Sequence, residues 1–371
     1  MQQPLQLLKL NDDVLALVCA AVRDLIEVDL SITSRYIMHL EGQVSETPLK
    51  NLSLTCKHIR ELCLPYLFSS LVLYSRVDNS WFEALRRIEE WNRAHAKYTS
   101  EVFIYIELEW MFKPEPFSAS LPARLVGLLQ TVASTGAPLE KLTVVANEAH
   151  AAAFDSAFSA PGVVFPDVRR LIVSPELHPV VRCCPGTRML NGWNFSWTMS
   201  RTRGHTSRLF NEAKRLADLE CFVLRERWGP AIMTELRDSI QNVRVLVIPA
   251  LSMLDYDLSF ETFVSHLSRI RGIEILSIPV VAGLHVGYAP VARDDEEHRR
   301  LMYQQRVEAE ERVAPVLFEK CAGLKELWFD EETRVMRRET GDGVGELVWA
   351  RGDETGRPIW HVMMGNVSEN D

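Results

Sequence analysis

Hydrophobic positions along this chain keep two rhythms. From residue 68 onward the phrase apolar-x-x-apolar-x-apolar returns at Phe68/Leu71/Leu73, Phe103/Ile106/Leu108, Leu139/Leu142/Val144, Val168/Leu171/Val173, Leu190/Trp193/Phe195, Leu219/Phe222/Leu224, Val243/Leu246/Ile248, Ile273/Leu276/Ile278 and Leu324/Leu327/Phe329. On a strand entered from a turn, this spacing sends alternate side chains into one core, because successive Cβ atoms point to opposite faces. Helical spacing fills several gaps: Trp81 to Ala94, Pro122 to Thr135, Ser207 to Ala217, Pro230 to Gln241 and Phe260 to Arg271. The clearest helical face joins Phe260, Phe263, Val264, Leu267 and Ile270. Pro230 stands where a first-turn proline forfeits no hydrogen bond.

Most phrase centres lie roughly 22 to 36 residues apart, which accommodates one strand, one return helix and two turns. The pattern therefore predicts a mixed α/β chain built as an irregular solenoid of alternating strands and helices. A compact α/β domain with a parallel sheet uses the same alternation and is the rival architecture. Leu139 to Asn147 also carries the asparagine of the leucine-rich-repeat consensus, whose amide can satisfy turn backbone along a stack; the other phrases lack it.

The second rhythm is helical and lies at the start. Val14, Leu15, Val18 and Val22 form one apolar stripe, and Leu49, Leu52, Ile59 and Leu62 repeat it after a polar insertion. Asn11 or Asp12 can cap the first helix, since a side-chain oxygen accepts from an orphan backbone amide, and Asp13 suits the positive helix start. Cys56 is small enough to sit between close-packed helices. Two short helices cannot bury both faces alone, so this piece is either a cap on a larger domain or a docking module.

Composition narrows the partners. With 371 residues the chain can bury more than one core, and 47% hydrophobic and 25% charged residues describe an ordinary folded protein. A net charge of -9 argues against a surface made for phosphate backbones, because that affinity comes from clustered Lys and Arg releasing counterions. Neither a nucleic acid nor a membrane is expected as a partner: there is no transmembrane run, and the opening Met1 to Lys9 lacks a basic segment followed by an unbroken apolar one. The seven scattered cysteines read as reduced thiols of an intracellular protein, cytoplasmic or nuclear.

The arrangements that chemistry requires are weak here, so no enzyme, cofactor or metal is expected. Gly341, Gly343 and Gly345 lead into a Val-Trp strand, whereas a phosphate loop opens a helix. No Cys-x-x-Cys, His-Glu-x-x-His or Gly-x-Ser-x-Gly occurs. A dispersed active site stays open as an alternative. Arg201, Arg203 and His205 in the loop Thr198 to Thr206 are candidates to meet an acidic ligand.

The wording of the first 75 residues is more specific. Leu10-Asn11-Asp12-Asp13-Val14-Leu15, then Leu52-Ser53-Leu54-Thr55-Cys56-Lys57-His58-Ile59-Arg60, then Leu64-Pro65-Tyr66-Leu67-Phe68, resembles a fungal-type F-box. Asn11 stands where that family usually has proline, Ile59 where an aromatic is common, and about residues 27–48 form an insertion. The resemblance implies docking on a Skp-type adaptor and a cullin scaffold through Leu10, Val14, Leu15, Val18, Leu49, Leu52, Leu54, Cys56 and Ile59. It also implies a substrate-recognition subunit of a ubiquitin ligase, with an unnamed protein substrate held by divergent leucine-rich repeats. A repeat scaffold unconnected with ubiquitin is the competing class.

The expected organisation is therefore residues 1–75 as an F-box-like module, 76–332 as the repeat domain and 333–371 as a C-terminal hairpin and tail. Within the repeats, Asp294 to Arg312 reads as a solvated helix with pairs such as Glu296/Arg300 and Glu308/Arg312. In the tail, Arg334 to Arg338 and Glu346 to Arg351 flank the glycine-rich turn of a β-hairpin.

Overall fold

The computed structural model describes residues 11–19, 48–75, 93–106, 120–146, 148–193, 203–249, 253–254, 258–278, 284, 286, 296–339 and 345–363. Leu10, Val22, residues 81–92 of the helix expected from Trp81 to Ala94, Leu108, Asn147, Phe195 and Arg201 fall outside them. Chain contacts divide the molecule into two units, residues 1–143 with 361–371 and residues 144–360, and the division falls inside one strand.

The first unit opens with three helices: α1 over residues 12–19, α2 Pro48–Ser53 and α3 Lys57–Leu67. Strand β1 Ser70–Ser75, the short α4 Arg93–Ala96, β2 Glu101–Ile106, α5 Ser120–Ser134 and the first half of β3 Lys141–Ala146 follow. β1 and β2 are parallel, with Ser70 opposite Glu101 and Ser75 opposite Ile106. Their start is tied by the Ser69 carbonyl, which accepts from the amides of both Ser100 and Glu101, and by Thr99 Oγ1, which donates to the Phe68 carbonyl at 2.8 Å. Helix α5 buries Leu121, Leu125, Leu128, Leu129 and Val132, the i, i+4, i+7, i+8 face that its spacing predicts.

The second unit continues α6 Ala151–Phe158, β4 Arg170–Val173, α7 Pro179–Arg182, β5 Met189–Gly192, α8 Arg203–Ala213, β6 Cys221–Leu224, β7 Arg227–Trp228, α9 Pro230–Ser239, β8 Val245–Val247, β9 Met253–Leu254, α10 Phe260–Leu267, β10 Ile275–Ile278, α11 Glu296–Lys320, β11 Glu326–Phe329, β12 Thr333–Glu339, β13 Gly345–Arg351 and α12 Ile359–Met363, which ends in the first unit. β4, β5, β6, β8, β10 and β11 stand side by side in chain order, all parallel. One row of the register reads Leu171, Leu190, Phe222, Leu246, Leu276 and Leu327, each fully buried. Five of these are the central residues of expected phrases; in the sixth the seam residue is Leu190, the first residue of its phrase, and the expected centre Trp193 lies just past β5. β5, β6 and β8 are buried at every position, because a covered parallel sheet has no wet face.

One position ahead of the strands runs a second seam, of opposite character. The amides of Glu220, Arg244, Glu274 and Lys325 donate to the carbonyls of Arg188, Glu220, Arg244 and Glu274 respectively, at 2.8 to 2.9 Å. Their side chains alternate in sign along the stack. Arg188 pairs with Glu220, Arg244 Nη2 lies 2.9 Å from Glu274 Oε2, and Lys325 Nζ lies 3.0 Å from Glu274 Oε1. This ladder holds neighbouring repeats in register from outside the core.

The end of the array differs from its body. β11 turns back through Asp330 and Glu331, both at positive φ (50° and 62°), with the Glu332 amide donating to the Phe329 carbonyl; this is the mirror-image turn that matches strand twist. β12 pairs antiparallel with β11 and with β13, Arg334 lying opposite Ala350, so the expected hairpin adds to the sheet. Trp360 is buried edge-on against Trp328, with ring centroids 5.4 Å apart. The helix expected over 294–312 extends to Lys320, and its second half is core: Ala309, Val313, Ala314, Leu317 and Phe318 are buried. Arg312 Nε donates to the Glu308 carbonyl instead of pairing with its carboxylate, which accepts from Gln304.

Candidate functional site

The three N-terminal helices are built from local signals. Asn11 caps α1: its Oδ1 accepts from the Asp13 amide at 3.0 Å while its carbonyl accepts from Leu15. α2 closes with Ser53 Oγ donating to the Lys50 carbonyl and Thr55 Oγ1 to the Leu52 carbonyl. Cys56 caps α3, its Sγ accepting from the Ile59 amide at 3.5 Å. Pro65 has no amide to donate inside α3, and the Phe68 amide then closes the helix end on the Leu64 carbonyl.

Heptad-like spacing folds these pieces on one another. Leu15 and Cys19 from α1, Leu49 from α2, and Ile59 and Cys63 from α3 form one buried cluster, with Leu52, Cys56, Leu62, Tyr66 and Leu67 packed around it. Two contacts set the course of α1 along α3. Asp12 Oδ1 meets His58 Nε2 at 2.9 Å, and Cys19 Sγ meets Cys63 Sγ at 3.6 Å. Both helices therefore run in the same direction, start beside start.

This geometry sorts the sequence-predicted docking residues into two groups. Leu15, Leu49 and Ile59 are in the module's own core, while Val18, Leu52 and Cys56 are half-buried at its margin. Val14 is 41% exposed and Leu54 is 65% exposed; Leu10 lies outside the described residues. Leu17, which is not among the residues carried over from the resemblance, is the most exposed large apolar side chain among the described residues of the module, at 69%. Val14, Leu17 and Val18 fall at i, i+3 and i+4, one stripe of α1 beside the stripe that Leu15 and Cys19 turn inward. Spacing alone contained that signal.

In the second unit, polar groups gather at the carboxyl ends of the parallel strands. His205 Nε2 stands 3.5 Å from Glu148 Oε1, so this candidate for an acidic ligand already meets a carboxylate of its own chain. Thr206 Oγ1 donates to the buried Glu226 carboxylate at 2.5 Å, and the His178 and His205 rings lie 6.3 Å apart. Burial raises the Glu176 carboxyl above its ordinary range, lowers His178, and lowers His150 to about 4. In all three the largest cause is burial, which disfavours the charged form.

A cavity of about 270 Å³ opens elsewhere in this unit, lined by Tyr303, Arg306, Glu332, Thr333, Arg351 and Gly352. Arg306 pairs with Glu310 at 2.8 Å and with Glu332 at 2.5 Å, and Arg351 lies 3.6 Å from Glu311. Its guanidinium charges are thus balanced internally. Among the described residues no group of three or more His, Cys, Asp or Glu is arranged to hold a metal ion, and no helix is long and apolar enough to cross a membrane. No protein-family profile matches the chain, and no curated protein is significantly similar to it.

Proposed function

We propose that the chain is a substrate-recognition subunit of a cullin-RING ubiquitin ligase, docking a Skp-type adaptor through α1 to α3 and a protein substrate through its strand-helix repeats. One observation carries the reading. A module of three short helices closes a core of its own, yet keeps Val14, Leu17 and Leu54 in water. Large apolar side chains held out beside a finished core suit a partner helix. The wording shared with F-boxes supports the same assignment, and the parallel strands in chain order suit the divergent leucine-rich repeats of such receptors.

The test is co-expression of the full chain with a Skp-type adaptor, followed by affinity purification. A stoichiometric complex is expected, lost in Val14→Asp and in Leu17→Asp while circular dichroism keeps its helical signal. A chain that purifies alone with its helices intact, or a complex indifferent to both substitutions, refutes the assignment. The strand order equally favours a repeat scaffold unconnected with ubiquitin; that reading predicts partner capture through the second unit and no adaptor complex.

A further inference from the structure

Within the helical module, Cys19 near the end of α1 and Cys63 in the middle of α3 are in direct contact, their Sγ atoms 3.6 Å apart. They lie 44 positions apart in sequence, and both are sealed from solvent in the core with Leu15, Leu49 and Ile59. A disulfide needs sulfurs about 2.05 Å apart, so the pair must close by only about 1.5 Å, within reach of side-chain rotation and a small shift of an eight-residue helix. We propose that Cys19 and Cys63 form a reversible disulfide that staples α1 to α3 under oxidising conditions.

The other thiols have different surroundings. Cys56 accepts a helix-capping bond, Cys183 donates to the Phe158 carbonyl at 3.0 Å, and Cys184, Cys221 and Cys321 are buried. A small-molecule disulfide such as oxidised glutathione completes the chemistry. The Cys19 thiolate attacks one of its sulfurs and releases one glutathione thiolate; the Cys63 thiolate then attacks Cys19 in the mixed disulfide and expels the second. Two cysteine protons and two electrons end on two glutathione thiols. Burial and the neighbouring Cys19 push the Cys63 thiol up to about 12, so the closed module resists attack. Reaction follows the lifting of α1, and the staple locks that helix when it returns. Such a link makes the hold on α1 independent of the intervening segment 20–47.

The staple acts on the helix that carries Val14 and Leu17, but its test needs no adaptor and stands apart from the ligase reading. The full chain is equilibrated in glutathione buffers of rising oxidised fraction, free thiols are alkylated, and the protein is digested with trypsin without reduction. Mass spectrometry should find peptide 10–23 joined to peptide 61–76 at least tenfold above any other cysteine pairing, with the link rising with the oxidised fraction and vanishing on reduction. Cys19→Ala should abolish the link and leave Cys63 alkylated or glutathionylated. The wild-type map decides the matter even if that variant folds poorly. Preferential pairing of other cysteines, or free Cys19 and Cys63 at the most oxidising ratio, overturns the proposal.

Discussion

Reversing the charge of Glu274 isolates the contribution of the charge ladder to the array. Its two carboxylate oxygens are shared between Arg244 at 2.9 Å and Lys325 at 3.0 Å, so Glu274→Arg removes two ion pairs and sets three cations in a row. The pairs are partly exposed, which limits each to about 0.2–1 kcal/mol. Each new like-charge contact at about 4 Å costs about 1 kcal/mol in a water-like dielectric. The sum is about 2–4 kcal/mol, against about 1 kcal/mol for Glu274→Gln, which loses the pairs without adding repulsion. Because stability is read locally by amide exchange, hydrogen exchange on peptides covering β8, β10 and β11 is the suitable assay, and about 2–4 kcal/mol corresponds to roughly 30- to 700-fold faster exchange. Raising salt to 1 M, where screening acts within about 3 Å, should shrink the difference, and Lys325→Glu should restore much of the protection. Lys325 and Arg244 hold the Glu274 carboxyl below its ordinary range. The ladder's contribution is therefore full above the unfolded carboxylate value of about 4.3 and is lost as pH falls through the lower folded value, a loss that Glu274→Gln should not show. Equal exchange rates in wild type and Glu274→Arg at low salt refute the reasoning.

Two further outcomes follow from the helical module. Leu15→Ala should cost the module about 2–5 kcal/mol by leaving a cavity in its core, while Leu17→Ala should change stability by less than about 0.5 kcal/mol; limited proteolysis of the two variants reads the contrast. Cys56→Ser keeps the position of the α3 cap and exchanges a weak sulfur acceptor for a strong oxygen, so it should stabilise α3 by about 0.5–1 kcal/mol, measured as slower exchange of the Ile59 and Arg60 amides.

Much of the parallel sheet is legible in the chain because its seam residues are apolar and stand just inside each strand. Leu171, Leu190, Phe222, Leu246, Leu276 and Leu327 lie in one register row; five of them are centres of a recognisable phrase, and Leu190 opens its phrase three positions ahead of the expected centre Trp193. The charge ladder escaped notice for a physical reason: Arg188, Glu220, Arg244, Glu274 and Lys325 each stand two positions ahead of a seam residue, at polar places that a search for apolar periodicity does not track. β7 and β9, two residues each, carry no periodic signal at all. Helix α6 hid behind three alanines, whose small side chains mark no face. In the helical module the sequence located the helices but left open which of the candidate residues turn into the core. Val14 and Leu15 are neighbours on a helix, about 100° apart, and only the packing of α3 decides which one turns inward.

The terminal hairpin bears on the same question of what the exposed surfaces are for. A stack of parallel strands ending at β11 would leave a buried-type strand, Leu327 to Phe329, with an open edge. Such an edge invites pairing with another chain. β12 and β13 cover it in antiparallel fashion, Trp328 is clamped between Trp360 and the Arg334 guanidinium, and the new outer strand carries Glu346 and Arg351. The parallel run is thus closed by an antiparallel hairpin that differs from the strands before it. Against that careful closure of an edge, the exposure of Leu17 and Leu54 on a module with a finished core is hard to ascribe to leftover surface. The chain covers apolar groups at the end of its array and leaves them open on α1 and after α2, which is where the proposed function puts the adaptor.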